Sequence, residues 1–280
     1  MALCEDAKID PRLFALLVLH LGTPENVFEQ LPDSLTEVPQ VSATRAQIIV
    51  AVSQRLDEVR LRLEQQSARG IQVISVFDAG YPESLRRIAD PPSCLYVRGM
   101  VPSADRRVAV MGAALASAEG IAEAVAVGKE LARLEVGVVS GLTGSIGGGA
   151  HLGCLAAGGT TCAVVDFGLD YAYLQEFEAL AAQIVSAGGM LSEHPPTTVA
   201  SRRHENATDR IVLGLSQALV VIEPELELPH MAALTEAALC EGEPVFVSTR
   251  ESSDAVSRLM RLGAYPLPSP QGVEALLKLV

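Results

Sequence analysis

The chain has 280 residues, 49% of them hydrophobic and 4% aromatic with no Trp, at a mean hydropathy of +0.30, which supplies a sizeable apolar core and excludes a mostly disordered chain. Twenty-one basic against 34 acidic residues give a net charge of −13 and a pI near 4.8, which excludes an indiscriminate polyanion binder but leaves room for a local basic patch. The apolar stretch near the start, Leu13 to Leu19, falls well short of the roughly 20 residues that cross a bilayer, and Met1 to Pro11 carries Glu5, Asp6 and Asp10 where a signal peptide would be basic. No membrane partner and a cytoplasmic location are therefore expected.

From Arg12 to about Leu63 the pattern is helical, with breaks at Gly22-Thr23-Pro24 and Leu31-Pro32 and then a run from Ala43 to Leu63. Residues 1–66 are read as a small helical domain whose turn at Gly22 either touches a nucleic-acid backbone or is plain scaffold. Residues 67–105 form a lead-in, with a strand over Ile71–Phe77, the turn signals Tyr81-Pro82 and Asp90-Pro91-Pro92, and a short strand over Cys94–Arg98. After Arg107 short Val-rich strands alternate with helices. Strands are predicted at Val108–Met111, Val136–Val139, Cys162–Val165, Met190–Ser192, Ala218–Ile222 and Val245–Val247. Helices are predicted at Ala118–Leu134, from about Gly149, at Leu174–Ser186, near Ala207–Leu215, at Met231–Cys240 and at Ser253–Leu262. This rhythm predicts an α/β domain over 67–280, a Rossmann-like doubly wound, mostly parallel sheet with helices on both faces. Ligands of such folds sit at the carboxyl ends of the strands.

The loop Ser140 to His151 follows a buried strand and opens a helix, and its glycines Gly141, Gly144, Gly147, Gly148 and Gly149 suit close approach of backbone N–H groups to a phosphate. It is neither a dinucleotide fingerprint nor a Walker loop. His151 meets a phosphate or is a packed structural histidine. In the first loop, Gly112 offers backbone and Ser117 a hydroxyl that also reads as a helix cap. Arg202, Arg203, His204 and Arg210 form a basic cluster that neutralises phosphates or is a solvated run diluted by Glu205 and Asp209. Ser140 and His151 have no placed carboxylate to complete a triad, and Asp166, Asp170, Glu193 and Glu223 lie at strand ends without the spacing of a metal or paired-acid site. The five cysteines, Cys4, Cys94, Cys154, Cys162 and Cys240, are scattered and read as buried small hydrophobes. Hence no catalytic residue, metal or cofactor is assigned.

Several segments occur together in order: Gly80-Tyr-Pro-Glu-Ser-Leu85, Asp90-Pro-Pro with Leu95-Tyr-Val-Arg-Gly99, Val108-Ala-Val-Met-Gly112, Ser140-Gly-Leu142, Gly158-Gly-Thr-Thr161, Leu191-Ser-Glu193, Arg210-Ile-Val-Leu-Gly-Leu-Ser216 and Val220-Val-Ile-Glu223. In these the chain resembles the DNA-processing protein A (DprA/Smf) family over roughly Val73 to Pro268. The resemblance implies a sterile-alpha-motif-like (SAM-like) helical domain before the Rossmann-like one, no catalysis, single-stranded DNA binding linked to DNA uptake and recombination, a RecA-type recombinase as partner, and a homodimer. The winged helix that often follows in that family has no expected counterpart before Val280. The departures concern the DNA site. The family's Gly-Ser-Arg reads Gly112-Ala113-Ala114, and its Gly-Ile-Asp reads Ser145-Ile146-Gly147. Its Phe-Pro-x-Arg-Asn-Arg reads Glu205 to Arg210, and its Ser-Gly-Ser-Leu stretch reads Leu228 to Ala233. A weakened DNA site is expected, built from Gly112, Ser117, Ser140, Gly141, the glycines to Gly149, His151 and Arg210. Two alternatives remain: a nucleotide-binding or phosphoribohydrolase-like protein with Glu193 or Glu236 as its acid, and a scaffold with a vestigial pocket.

Overall fold

The computed structural model describes residues 1–101, 106–142, 145–171, 177–225, 235–236, 238–239 and 242–279, and the side chains of these except 4, 5, 11, 202–207 and 277. The chain opens with α1 (Ala2–Glu5), α2 (Pro11–Leu21), α3 (Pro24–Phe28), α4 (Pro32–Thr36), α5 (Ala43–Ser53) and α6 (Leu56–Ala68). Side chains of Asp10, Thr23 and Ser42 accept the N–H groups of Leu13, Asn26 and Arg45 at 2.9, 3.2 and 3.2 Å, while Pro11 and Pro24 stand in the first turn, where a missing N–H is harmless. Leu13, Leu17, Val27, Leu35, Ala46, Ile49 and Val59 close the core of this lobe. The single helix expected over Ala43–Leu63 is two, parted at Gln54–Arg55. Its buried positions are Ala46, Ile49 and Val52, and Ile48 is exposed; the run Ile48-Ile49-Val50 is apolar all round and so does not reveal which side faces inward.

Then follow β1 (Gln72–Ser75), α7 (Glu83–Arg86), β2 (Cys94–Gly99), β3 (Arg107–Gly112), α8 (Ala118–Arg133), β4 (Gly137–Gly141), α9 (Ser145–Ala156), β5 (Thr161–Val164), α10 (Glu178–Ala187), β6 (Gly189–Ser192), α11 (Arg202–Gly214) and β7 (Ala218–Ile222). The chain closes with β8 (Val245–Ser248), α12 (Asp254–Arg261), β9 (Tyr265–Leu267) and a 3-10 helix, Pro270–Lys278. Among the described residues the strands form one sheet in the order β1-β2-β6-β5-β4-β3-β7-β8-β9. The pairs β1–β2 and β2–β6 are antiparallel and the other neighbours parallel. Side-chain alternation sends Val108, Val110 and Val220 to the face covered by α8, α9 and the 3-10 helix. Ala109, Leu219 and Val221 go to the opposite face with Leu85, Ile211 and Leu259 from α7, α11 and α12. The sheet is therefore mostly parallel and doubly wound, as predicted.

Three differences have physical reasons. α9 starts at Ser145 instead of near Gly149, because Gly147 and Gly149, of poor helix propensity, are accepted where the end of β4 and α8 respectively lie too close for a side chain. α11 starts at Arg202 instead of near Ala207, since the polar run before Ala207 shows no apolar period. β9 carries Pro266, which reads as a turn but is tolerated on an edge strand. Most of the helix predicted at Met231–Cys240, and Leu174 at the start of another, lie outside the described residues. No helix among the described residues is long and apolar enough to cross a membrane.

Candidate functional site

Strand β4 continues from β3 on one side of the sheet and β7 returns on the other, so the order reverses at β3 and leaves a crevice at the carboxyl ends of β3 and β7. Gly112 ends β3 opposite Ile222. A Cβ there would run into the Ile222 carbonyl and come within 3.0 Å of Ile146, so this glycine serves the packing of strand on strand and of α9 on both. Ser117 is the cap of α8: its hydroxyl oxygen accepts the Gly120 N–H at 3.0 Å and its own hydrogen goes to Glu223.

Beyond β4 the predicted phosphate loop is differently built. Ser140 is 2% exposed and donates its hydroxyl to the Val110 carbonyl at 2.5 Å. His151 is fully buried. Its Nδ1 lies 2.6 Å from the Thr161 hydroxyl, which donates to the Val138 carbonyl at 3.1 Å and so accepts from Nδ1–H. Burial pushes the imidazole down to about 4, against the pull of the Gly141 and Ser140 backbone, so the ring is neutral near pH 7. Of the two readings of His151, the packed structural histidine is the one this geometry supports, and the Ser140 hydroxyl lies in the same interior beneath the loop. Gly147 and Gly149 are also occupied with packing: a Cβ on Gly147 would strike the Gly141 carbonyl, and one on Gly149 would lie 3.1 Å from Ala124 and Ile121. Gly141 and Gly148 are half-exposed with no atom closer than 3.9 and 4.0 Å to an added Cβ; these two are open to an approaching group. Gly144 lies outside the described residues.

Arg210 is near the rim but engaged. Its guanidinium makes a two-pronged pair with Glu193 at 2.9 and 2.6 Å, and its Nε donates to the Asp90 carbonyl at 2.9 Å, with the Asp90 carboxylate at 3.5 Å. The cation that sequence assigned to a phosphate thus ties α11 to the end of β6 and to the lead-in. The side chains of Arg202, Arg203 and His204 lie outside the described residues. The acids considered for nucleotide cleavage are engaged too: Glu193 with Arg210, and Glu236 with Arg258 at 2.7 Å.

What sequence reasoning missed is the acidic side of the crevice. A cleft of about 620 Å³ opens between Ala113, Ser117, Glu123, Glu223, Ser248 and Arg250. Glu123 is 4% exposed, accepts the Ser248 hydroxyl at 2.7 Å, and burial pushes its carboxyl above the usual range while Ser248 and Arg250 oppose the shift. Its signal was available: Gly120, Glu123, Ala124, Val127, Gly128 and Leu131 share the buried face of α8, and a lone acid on such a stripe needs a partner. Among the described residues no cluster of three or more His, Cys, Asp or Glu side chains suits a metal ion.

Comparison with known proteins completes this picture. Over 268 residues the chain is 31% identical to the DNA processing protein DprA of Streptococcus pneumoniae, covering 93% of this chain and 91% of that one. It is 30% identical over 220 residues to DprA of Bacillus subtilis, covering 76% and 74%. A third relative, Protein Smf of Synechocystis, is 29% identical, and the match spans 55% of that longer chain. The X-ray structure of the S. pneumoniae protein superposes with a TM-score of 0.75 over 93% of this chain and 91% of that one, at 28% identity. The DNA processing protein A of Helicobacter pylori, whose structure was described for its single-stranded DNA binding mode, shares the fold with a TM-score of 0.64 over 74% of this chain and 96% of that one, at 22% identity. The profile of the DNA recombination-mediator protein A family matches residues 72–275, the sheet and both of its helical layers, and by that match the chain belongs to this family.

Proposed function

We propose that this protein is a non-catalytic single-stranded DNA-binding member of the family, acting in DNA uptake and recombination, with a weakened phosphate site. The observation that carries the reading is the likeness to S. pneumoniae DprA along 93% of the chain. The phosphates lie on Gly141 and Gly148, with Gly144 in the same loop by sequence, while Gly112 and Ser117 shape the neighbouring wall of the crevice, the one by packing against β7 and the other by holding Glu223. Arg210 acts indirectly, since its charge is already matched by Glu193 and Asp90. On this reading the helical lobe, residues 1–66, and residues 67–280 are two domains, the protein works in the cytoplasm as a homodimer, and a RecA-type recombinase receives the strand.

Backbone N–H donors without free cations hold phosphates weakly, and because little of the binding comes from counterion release by fixed charges its salt dependence is shallow. Fluorescence anisotropy of a labelled oligothymidylate is the test. Dissociation constants of roughly 1–10 µM at low salt, weakening by no more than a few-fold by about 150 mM salt, are expected. Absence of binding at low salt would remove this reading.

A further inference from the structure

Ser145 donates to the Ala114 carbonyl from one side of the loop between β3 and α8, at 3.2 Å from its N–H and 3.0 Å from its hydroxyl, and Glu223 holds the loop from the other. Glu223, just past β7, stands at φ +48, a left-handed conformation that disfavours a side chain. Its backbone oxygen accepts the Ala113 N–H at 3.2 Å. Its carboxylate accepts the Ser117 N–H at 2.9 Å and the Ser117 hydroxyl. Ser117 in turn caps α8. The carboxylate lies so close over Gly120 that a Cβ there would collide with it. The positive end of a 16-residue helix is thus filled by the chain's own anion, and a glycine in the first turn makes the room. A backbone strain held in place by several converging contacts is the kind that accompanies a functional role. The neighbours reinforce the sign: Glu119, Glu123, Glu225 and Glu251 line the same cleft against Arg250.

We propose that Glu223 is the specificity-determining residue of this cleft: as the resident anion of α8 it turns phosphate away, so that a bound strand carries its phosphates on the β4 side of β3, past Gly141 and Gly148. The second clause rests on the single-stranded DNA reading; the first does not. A phosphate entering the α8 terminus would have to displace a carboxylate that already holds both Ser117 donors, and would meet like charge from the remaining acids.

Two variants test this. E223Q keeps the shape and removes the charge, and E223G suits φ +48 and empties the seat. Each is titrated with inorganic orthophosphate by calorimetry and with labelled oligothymidylate by anisotropy, alongside thermal melts. The wild type is expected to give no orthophosphate signal at millimolar concentration. E223G is expected to gain one, to bind oligothymidylate about tenfold tighter at low salt, and to steepen the salt slope by about 0.7, one further phosphate; E223Q gains less. A purely structural Glu223 would give neither gain. Variants that melt like the wild type and take no orthophosphate overturn the proposal. Should E223G fail to fold, E223Q decides it. Orthophosphate binding without any oligothymidylate binding keeps the role of Glu223 and removes the DNA reading.

Discussion

At the scale of single residues, the candidate phosphate loop contains two polar groups that could be named from sequence but not aimed. Ser140 occupies a strand position whose side chain points under α9, alternating with Val139 on the other face, and His151 sits one turn further into the same interior. Both are supports, and the histidine has a measurable consequence. Burial holds its imidazole at about 4 in the folded chain, against about 6.5 in the unfolded one. The unfolded chain therefore takes up the proton first, so this residue contributes nothing to pH dependence above about 6.5 and removes stability as pH falls toward 4, on the order of 3 kcal/mol in all. Glu123 works with the opposite sign: its raised carboxyl favours the fold below its unfolded value and loses that benefit as pH rises through its folded one. The difference between two chains isolates the histidine. In thermal melts at pH 7 and pH 4.5 the wild type should lose more stability on acidification than H151N, whose amide can donate to Thr161 in place of Nδ1–H. Equal losses in both would show that His151 is charged or exposed in the folded state.

At the scale of elements, strands and helices after Arg107 were readable because a buried parallel strand is a short apolar run and each is followed by an amphipathic helix. The glycine-rich start of α9 was not, because close packing and anion binding ask for the same residue. The structure separates the two uses. α9 lies on α8 so closely that a Cβ on Gly153 would strike the Val125 carbonyl and one on Gly128 the Ala150 carbonyl, whereas a Cβ on Gly148 would meet nothing nearer than the Leu142 carbonyl at 4.0 Å. G153A should therefore force the helices apart and cost about 3 kcal/mol, lowering the melting temperature by about 5–10 °C. G148A, on the same helix, should raise stability by about 0.5–1 kcal/mol through helix propensity while weakening oligothymidylate binding by crowding the open backbone. If G153A is neutral, the two helices are not in the contact described here; if G148A leaves binding unchanged, Gly148 does not face the strand.

At the scale of the whole molecule, what joins the helical lobe to the sheet is the part least accessible to sequence, since local patterns carry no information about pairs 60 to 100 residues apart. The charged contact is Arg69 at the end of α6 with Asp170 at 3.0 Å, where Asp170 also holds Arg98 at 2.7 Å. The apolar contact is the segment after β1. Val76 packs against both the lobe's core and the sheet's core, and Phe77 meets Phe14 edge-on with ring centres 5.0 Å apart. The lone Phe77 at the end of an alternating strand reads as one more strand residue, and nothing near it in sequence indicates that it turns back toward α2. Of the two contacts the apolar one should dominate. Arg69 is 63% exposed, so solvent screens its pair and R69A should cost under about 0.5 kcal/mol. V76A removes two methyl groups from a position shared by two cores and should cost about 1–2 kcal/mol, with F77A of similar size. Melting curves of the three variants give the ranking directly. A larger loss for R69A than for V76A would mean that the lobe is held by charge, and the junction would then weaken with added salt, which an apolar junction does not.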